Sequence, residues 1–156
     1  MRPVRMLAGI AVVATAVLGL ASTAAQAAGG QVDGSLSVAG STCSWSNAST
    51  SDAPPNTLTV DHGTVQPSCD GSISASLTND PSVSFDDSAG TASSAEIDVS
   101  ATVSGVSCAY QVTDVSVTRQ DDTRTYTGGP YTANKTDGSI LCPGSETVDS
   151  LTLTFH

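Results

Sequence analysis

Short stretches of alternating apolar and polar residues recur along the chain after residue 27, separated by clusters of Gly, Pro, Asn and Asp. Examples lie at residues 57–61, 73–77, 97–103 and 151–155. A period of two is typical of half-buried β-strands, and no stretch after residue 27 shows helical periodicity. Eight or nine short strands at this spacing predict an all-β protein, a β-sandwich of Greek-key or Ig-like type.

One octapeptide pattern occurs twice, as VAGSTCSW at residues 38–45 and as VSGVSCAY at residues 103–110. In both copies Val and Cys are five positions apart, so an unbroken strand would point them to opposite faces. Because both residue types favour the interior and a Gly lies between them, we predict a corner where the strand passes between sheets.

A second matched pair follows each octapeptide, CDGS at residues 69–72 and CPGS at residues 142–145, and each precedes another alternating segment. The repeated order predicts two duplicated halves, 28–92 and 93–156. The alternative is chance, since a chain rich in Ser, Val and Gly produces short matches easily.

The four cysteines are predicted to form two disulfides, because an exported chain is oxidised and no C-x-x-C spacing favours a metal. Three pairings are open to four cysteines. The duplication, if it is real, selects Cys43 with Cys69 and Cys108 with Cys142.

The N-terminus has the order of a secretory signal peptide. Arg2 and Arg5 precede an apolar run at residues 7–20, and small residues lead to Ala-Gln-Ala at 25–27. The run is shorter than the roughly 20 residues that span a bilayer. We therefore predict that residues 1–27 are removed and that 28–156 form a single secreted, extracellular domain without membrane insertion.

Charge narrows the range of partners. The full chain has a formal net charge of −10, and loss of two of its five basic residues leaves 3 − 15 = −12. Such an acidic protein repels phosphate backbones and anionic lipid, so nucleic-acid and membrane-surface functions are not expected. We expect a soluble monomer.

Catalytic and metal motifs are not found. The chain lacks a G-x-S-x-G elbow, an H-E-x-x-H helix motif and a phosphate-binding Gly loop. Asp61 precedes His62, but adjacent residues in a strand point to opposite faces, so Asp61 is not expected to orient that imidazole. The acidic pairs at 86–87 and 121–122 could hold calcium through loop carboxylates, but they lack the spacing of a calcium loop, so we interpret them as solvated turns with calcium as the alternative. We predict a non-enzymatic protein without metal or cofactor.

One segment combines basic and aromatic residues. It spans residues 119–135 and contains every basic residue after position 27, together with two tyrosines that flank Thr-Gly-Gly-Pro: Arg119, Arg124, Tyr126, Tyr131 and Lys135. Basic residues on edge strands block sheet association, and tyrosines pack on the pleat, so a structural role is one interpretation. The alternative is a recognition hairpin for a protein or polysaccharide partner.

The Ala-rich leader, the acidic Ser/Thr/Gly-rich body and the closing LCPGSETVDSLTLTFH resemble small uncharacterised secreted proteins of actinobacteria, a resemblance that implies no known activity. As an exported, acidic, two-disulfide β-protein, the chain also resembles neocarzinostatin-type carriers, whose cleft holds an apolar chromophore. Secreted subtilisin inhibitors share its size and cysteine count, but their expected C-P-x-V-Y-D-P segment is absent.

Two functions follow as hypotheses. The first is a non-catalytic interaction or surface-associated module, and the alternative is a small-molecule carrier. A carrier needs an apolar pocket of several hundred cubic ångströms. Few large apolar residues remain to line one after a core is filled, which favours the interaction module.

Overall fold

The computed structural model describes residues 29–156, so the predicted signal peptide lies outside the described residues. This part of the chain consists of strands, turns and one 3-10 turn at His62–Thr64, and none of its helices is long and apolar enough to cross a membrane. The strands are β1 (Gln31–Val38), β2 (Ser41–Ser49), β3 (Leu58–Thr59), β4 (Ser68–Cys69), β5 (Ile73–Leu77), β6 (Ser82–Asp86), β7 (Thr91–Val103), β8 (Val106–Arg119), β9 (Thr125–Gly128), β10 (Tyr131–Gly138) and β11 (Ser145–Phe155).

All pairings between these strands are antiparallel, and they join in the order β3-β6-β7-β8-β10-β11-β1-β2-β4. Strand β5 pairs with β7, while β9 continues the line of β10 between β8 and β11. The sheet folds back on itself, so that apolar side chains from its distant strands form one core cluster. The predicted all-β, disulfide-stapled β-sandwich is confirmed.

The repeated octapeptides are β-hairpin turns, and the predicted sheet-to-sheet corner was wrong. Val38 pairs with Ser41, and Val103 pairs with Val106, so only two residues connect the strands in each hairpin. Those residues have positive φ in both copies: Ala39 (49°), Gly40 (77°), Ser104 (50°) and Gly105 (81°). Positive φ at both central positions is the signature of the type I′ turn, whose twist suits a two-residue hairpin.

Chain reversal explains the odd Val-to-Cys spacing. Residues that pair across a hairpin project to the same face of the sheet. Cys43 lies opposite Leu36, and Cys108 lies opposite Ala101. An offset of five therefore keeps Val and Cys on one face when the strand turns back between them.

The predicted disulfide pairing is confirmed. Cys43 bonds to Cys69 and Cys108 to Cys142, with sequence separations of 26 and 34 residues. The first bridge joins the paired strands β2 and β4, and the second joins β8 to the segment that leads into β11.

Each half of the chain contains a strand that pairs with the hairpin of the other half. After Cys69, β5 pairs with β7, the first strand of the second hairpin. After Cys142, β11 pairs with β1, the first strand of the first hairpin. Each half thus donates its post-cysteine strand to the other half's hairpin. This reciprocity agrees with the duplication hypothesis, which stays a prediction.

A kink divides the long hairpin of β7 and β8. In β8 the buried residues are Cys108, Tyr110 and Val112, then Val115 and Val117, so the inward phase shifts beside Asp114, whose φ is +53°. We call the half of the molecule beyond the kink, toward β3, β6 and the turn at residues 120–124, the packed end. The half that carries the hairpin turns at residues 39–40 and 104–105 is the open end.

Aromatic side chains fill the packed end. Phe85, Tyr126 and Phe155 form a triangle with ring centroids 5.1 to 5.9 Å apart, in tilted or edge-to-face contact. Tyr126 is 1% exposed and Phe155 is 3% exposed. Edge-to-face packing adds favourable quadrupole contacts to the large apolar area that such rings bury.

Candidate functional site

The open end contains an apolar cavity of about 620 Å³. Its walls come from β1, β2, β5, β6, β7, β8, β10 and β11, so strands surround it on several sides. The cavity extends past the kink, where Val83 of β6 and Val115 of β8 line it. Most of the lining side chains are aliphatic and of moderate size, among them Leu36, Ile73, Leu77, Ile97, Val99, Ala101, Val148 and Leu153. Many of these are only partly buried, because their inward faces meet the cavity instead of another side chain.

Two tyrosine hydroxyls near the cavity already have acceptors. Tyr110 Oη donates to the carbonyl of Pro143 at 3.3 Å, and Tyr131 Oη donates to the carbonyl of Ser116 at 2.5 Å. Burial raises the pKa of both tyrosines. Because both hydroxyls are already bonded to backbone carbonyls, the two tyrosines contribute mainly the apolar surface of their rings to the cavity wall.

Exposed apolar side chains mark the mouth of the cavity. Among the described residues, the exposed large hydrophobics are Val103, Ile140 and Leu141, with exposures of 47%, 96% and 75%. Val103 precedes a hairpin turn, and the other two belong to the loop before Cys142. Val103 and Leu141 also line the cavity, so the apolar surface continues from the interior to the rim.

Both disulfides lie at this end. Cys43 and Cys108 are lining residues of the cavity, and Cys142 anchors the exposed loop at its rim. Each disulfide therefore attaches a strand of the cavity wall to a neighbouring segment, in the region where the fewest side chains pack against one another.

Trp45 forms part of the wall contributed by β2. Its ring lies over Gly34 of β1, where a Cβ would overlap the indole atoms Cζ2 and Cε2. The close approach therefore requires Gly at this position. The indole Nε1 is buried and has no hydrogen-bond acceptor among residues 29–156. Since Trp45 is the chain's single tryptophan, its emission reports on the cavity.

Glu146 is the charged residue among those that line the cavity. It lies on β11 two positions before Val148, and both are half-buried lining residues on one face of the strand. The pKa of Tyr110 is raised first by burial and second by the negative charge of Glu146. In the sheet, Glu146 pairs with Ala133 of β10, which pairs in turn with Val112, two positions from Tyr110 on β8.

The five residues of the candidate hairpin, 119–135, do not share one surface. Tyr126 is buried in the aromatic triangle. Arg124 forms a bidentate ion pair with Asp87, with nitrogen–oxygen distances of 2.7 and 3.1 Å, and donates to Tyr126 Oη at 3.2 Å. Arg119 contacts the same carboxylate at 3.4 Å. The hydrogen bonds from Arg124, then the two arginine charges, lower the pKa of Asp87.

The other two members of that hairpin lie farther along it. Tyr131 is half-buried, and its hydroxyl is bound to Ser116. Lys135 lies at the open end, where its Nζ donates to the carbonyl of Ser139 at 3.3 Å. The contacts of Tyr126 and Arg124 support the structural interpretation of this segment, and partner binding through it stays a prediction.

His62 contacts a different acid from its sequence neighbour. Asp61 Oδ1 accepts the amide of Gly63 and caps the 3-10 turn, while His62 Nδ1 lies 2.6 Å from Asp80 Oδ1. The amide and imidazole of His62 lower the pKa of Asp80. All three side chains are exposed, and the capping and pairing contacts account for their proximity.

No family model, curated protein or solved structure matches the chain. The resemblances to secreted actinobacterial proteins and to neocarzinostatin-type carriers therefore stay predictions.

Sequence reasoning missed Glu146 and the cavity. A signal for Glu146 was present, because alternation in residues 145–148 places it in phase with Val148. No comparable signal existed for the cavity, because an alternating strand looks the same whether its inward face meets a side chain or a void.

Proposed function

We propose that this protein is a non-catalytic, extracellular binding protein that holds a small apolar molecule in the cavity of its open end. The observation that supports this proposal is the cavity of about 620 Å³ with an almost entirely apolar lining. Sites for small ligands have volumes of roughly 300 to 1,000 Å³ and apolar walls with a few polar groups.

The interior of a small domain is normally close-packed, with few voids larger than a water molecule. A void of this size leaves aliphatic groups such as Leu36 and Ile97 without partner atoms on one side. A bound apolar molecule supplies those contacts and removes the same surface from water. The cavity therefore favours ligand binding over a purely structural role.

From the sequence, the scarcity of large side chains argued against a carrier function. In the structure, the same scarcity supports a carrier function, because the interior of the open end is left unfilled. Of the six aromatic residues after position 27, three are concentrated in the triangle at the packed end. Val, Ala and Leu dominate the walls of the open end, and they do not reach across it. The deficit of volume leaves space for a ligand.

Titration of Trp45 emission with neutral apolar probes, 1-decanol and Nile red, tests the proposal. We expect saturable binding and a rise in melting temperature, because a ligand of the folded state stabilises that state. The variant Val99→Phe places a ring in the cavity and is expected to weaken binding by at least about tenfold through overlap with the ligand.

The matched control is Ser107→Phe on β8, an exposed position outside the cavity lining. It should bind both probes as the unmodified protein does. Absence of saturable binding by either probe, or equal affinity in the Val99→Phe variant, overturns the proposal.

A further inference from the structure

The cavity wall carries one acid in otherwise apolar surroundings. Glu146 lies on the inward face of β11, with Val148 two positions along the same strand and Ala133 as its cross-strand partner. Ala133 is 3% exposed. A carboxylate placed beside such surfaces loses part of its hydration, and an opposite charge or a hydrogen-bond donor offsets that cost.

No ion pair of Glu146 is found within residues 29–156. The nearest basic residue in the sheet is Lys135, since Lys135 pairs with Tyr110 on β8 and Ala133, two positions away, pairs with Glu146. Its ammonium group, however, donates to the carbonyl of Ser139, in the loop at residues 139–141 that lies at the mouth. Glu146 therefore faces the cavity without a cationic partner from the protein.

Acidic side chains outnumber the one basic side chain, Lys135, around the mouth. Asp70 follows β4, and its amide donates to the carbonyl of Thr42 beside the turn at residues 39–40. Asp137 lies near the end of β10, and both aspartates are exposed. The described part of the chain has three basic and fifteen acidic residues, a formal charge of −12. This field attracts cations to the mouth and repels anions, and salt screens it over about 10 Å at 0.1 M.

We propose that the ligand of this cavity is an amphiphilic cation: an apolar body that fills the aliphatic interior and a protonated amine that pairs with the Glu146 carboxylate at the mouth. This inference rests on the proposed function, since it specifies the chemistry of a ligand for the same cavity. It disfavours fatty acids and other anionic amphiphiles, which would place a carboxylate beside Glu146.

Three probes with one alkyl chain and different headgroups test it: decylamine, 1-decanol and decanoate. The amine and the carboxylate are used below their micelle concentrations and the alcohol below its solubility limit, and binding is followed through Trp45 emission at pH 7. We expect the amine to bind about tenfold more tightly than the alcohol, as a charge-assisted hydrogen bond contributes more than a neutral one. The carboxylate should bind more weakly than the alcohol.

The variant Glu146→Gln keeps the shape of the side chain and removes its charge. We expect it to remove the advantage of the amine over the alcohol while decanol affinity stays within about twofold, which also shows that the cavity is intact. The matched variant Lys135→Gln should leave amine affinity unchanged within about threefold. Repeating the amine titration in 0.5 M NaCl separates the contact from the diffuse field, because salt screens distant charges more than a close pair.

Each outcome has a distinct meaning. Decanol binding without preference for the amine, or an amine preference that survives Glu146→Gln, overturns this inference and leaves the proposed function standing. Tighter binding of decanoate that Lys135→Gln abolishes overturns it in favour of an anionic ligand. Absence of binding by all three probes overturns the proposed function itself.

Discussion

The packed end and the open end have the same strands as walls but different interiors. Along β7, Ala92 at the packed end is 1% exposed, whereas Val99 and Ala101 at the open end are only partly buried. Along β11, Phe155 completes the aromatic triangle, whereas Val148 and Glu146 face the cavity. One hydrogen-bonded framework thus supports a close-packed core at one end and a void at the other.

The comparison shows that the stabilising interactions are divided between the two ends. Large rings and buried aliphatic side chains provide cohesion at the packed end, where no disulfide is found among the described residues. Covalent bridges hold the open end, where side chains of moderate size leave the interior unfilled. Hydrophobic packing therefore dominates at the packed end, whereas at the open end each disulfide attaches to a strand that lines the cavity.

The largest expected contrast comes from truncation of one side chain at each end. Phe155→Ala should lower the free energy of unfolding by about 3 to 5 kcal/mol, because it removes a buried ring from a close-packed cluster. Leu36→Ala should lower it by about 1 to 2 kcal/mol, since that side chain already faces the cavity. Urea denaturation measures both. Equal losses would contradict the division into a packed and an open end.

Removal of the mouth disulfide has the next largest effect. Replacing Cys108 and Cys142 together by Ala should cost about 3 to 4 kcal/mol, the loop-entropy value for a loop of this length. It should also weaken binding of decanol, because the loop at residues 139–141 loses its anchor. Urea denaturation and titration of Trp45 emission measure the two effects, and unchanged decanol affinity would show that the bridge does not shape the mouth.

Enlarging an alanine on β7 tests the available space directly. Ala92→Leu should destabilise the protein by about 1 to 3 kcal/mol through overpacking. Ala101→Leu, nine positions along the same strand, should change stability by about 0.5 kcal/mol or less, since the added atoms enter the cavity. Melting curves of the two variants compare them, and a larger loss for Ala101→Leu would show that the open end is already full.

The smallest expected effect concerns the ion pair beside the packed end. The pKa of Asp87 is lowered by Arg124, so its ionised form stabilises the folded state above the ordinary carboxyl pKa, about 4. This contribution is lost as the pH falls through the lowered folded value. The urea midpoint of Asp87→Asn should therefore lie slightly below that of the unmodified protein at pH 7 and approach it at acid pH, once the pH falls below the lowered pKa of Asp87.

Asp122→Asn is the control for that measurement, because Asp122 lies in the neighbouring turn outside the ion pairs of the described chain. Its midpoint should follow the unmodified protein at both pH values. A deficit of Asp87→Asn that persists at low pH would show that the carboxylate acts through packing and not through charge.

Sequence reasoning succeeded where a local pattern determines the structure. The matched Cys-x-Gly-Ser segments gave the disulfide pairing. The phase argument failed at Gly40 and Gly105, because an odd spacing is compatible with a corner or with a reversal. The structure shows two adjacent residues with positive φ between the strands, which is the geometry of a two-residue hairpin and not of a corner.

The contacts of the candidate site residues depend on three-dimensional relations that one sequence does not encode locally. Tyr126 was grouped with exposed hairpin residues, yet its partners Phe85 and Phe155 come from distant strands. The pairing of Arg124 with Asp87 was not visible in the sequence, because Asp87 lies 37 positions earlier. Whether side chains fill the space between walls is a property of all the strands together.

The place of β11 in the sheet determines when the cavity wall is completed. This strand pairs with β1 on one side and with β9 and β10 on the other. The wall around the cavity therefore remains incomplete until residues 145–155 have been synthesised. Glu146 belongs to this strand, so the carboxylate joins the wall at the same step. Under the proposed function, an apolar ligand present before β11 docks would contact lining that the completed sheet later encloses, so binding and completion of the fold would be coupled.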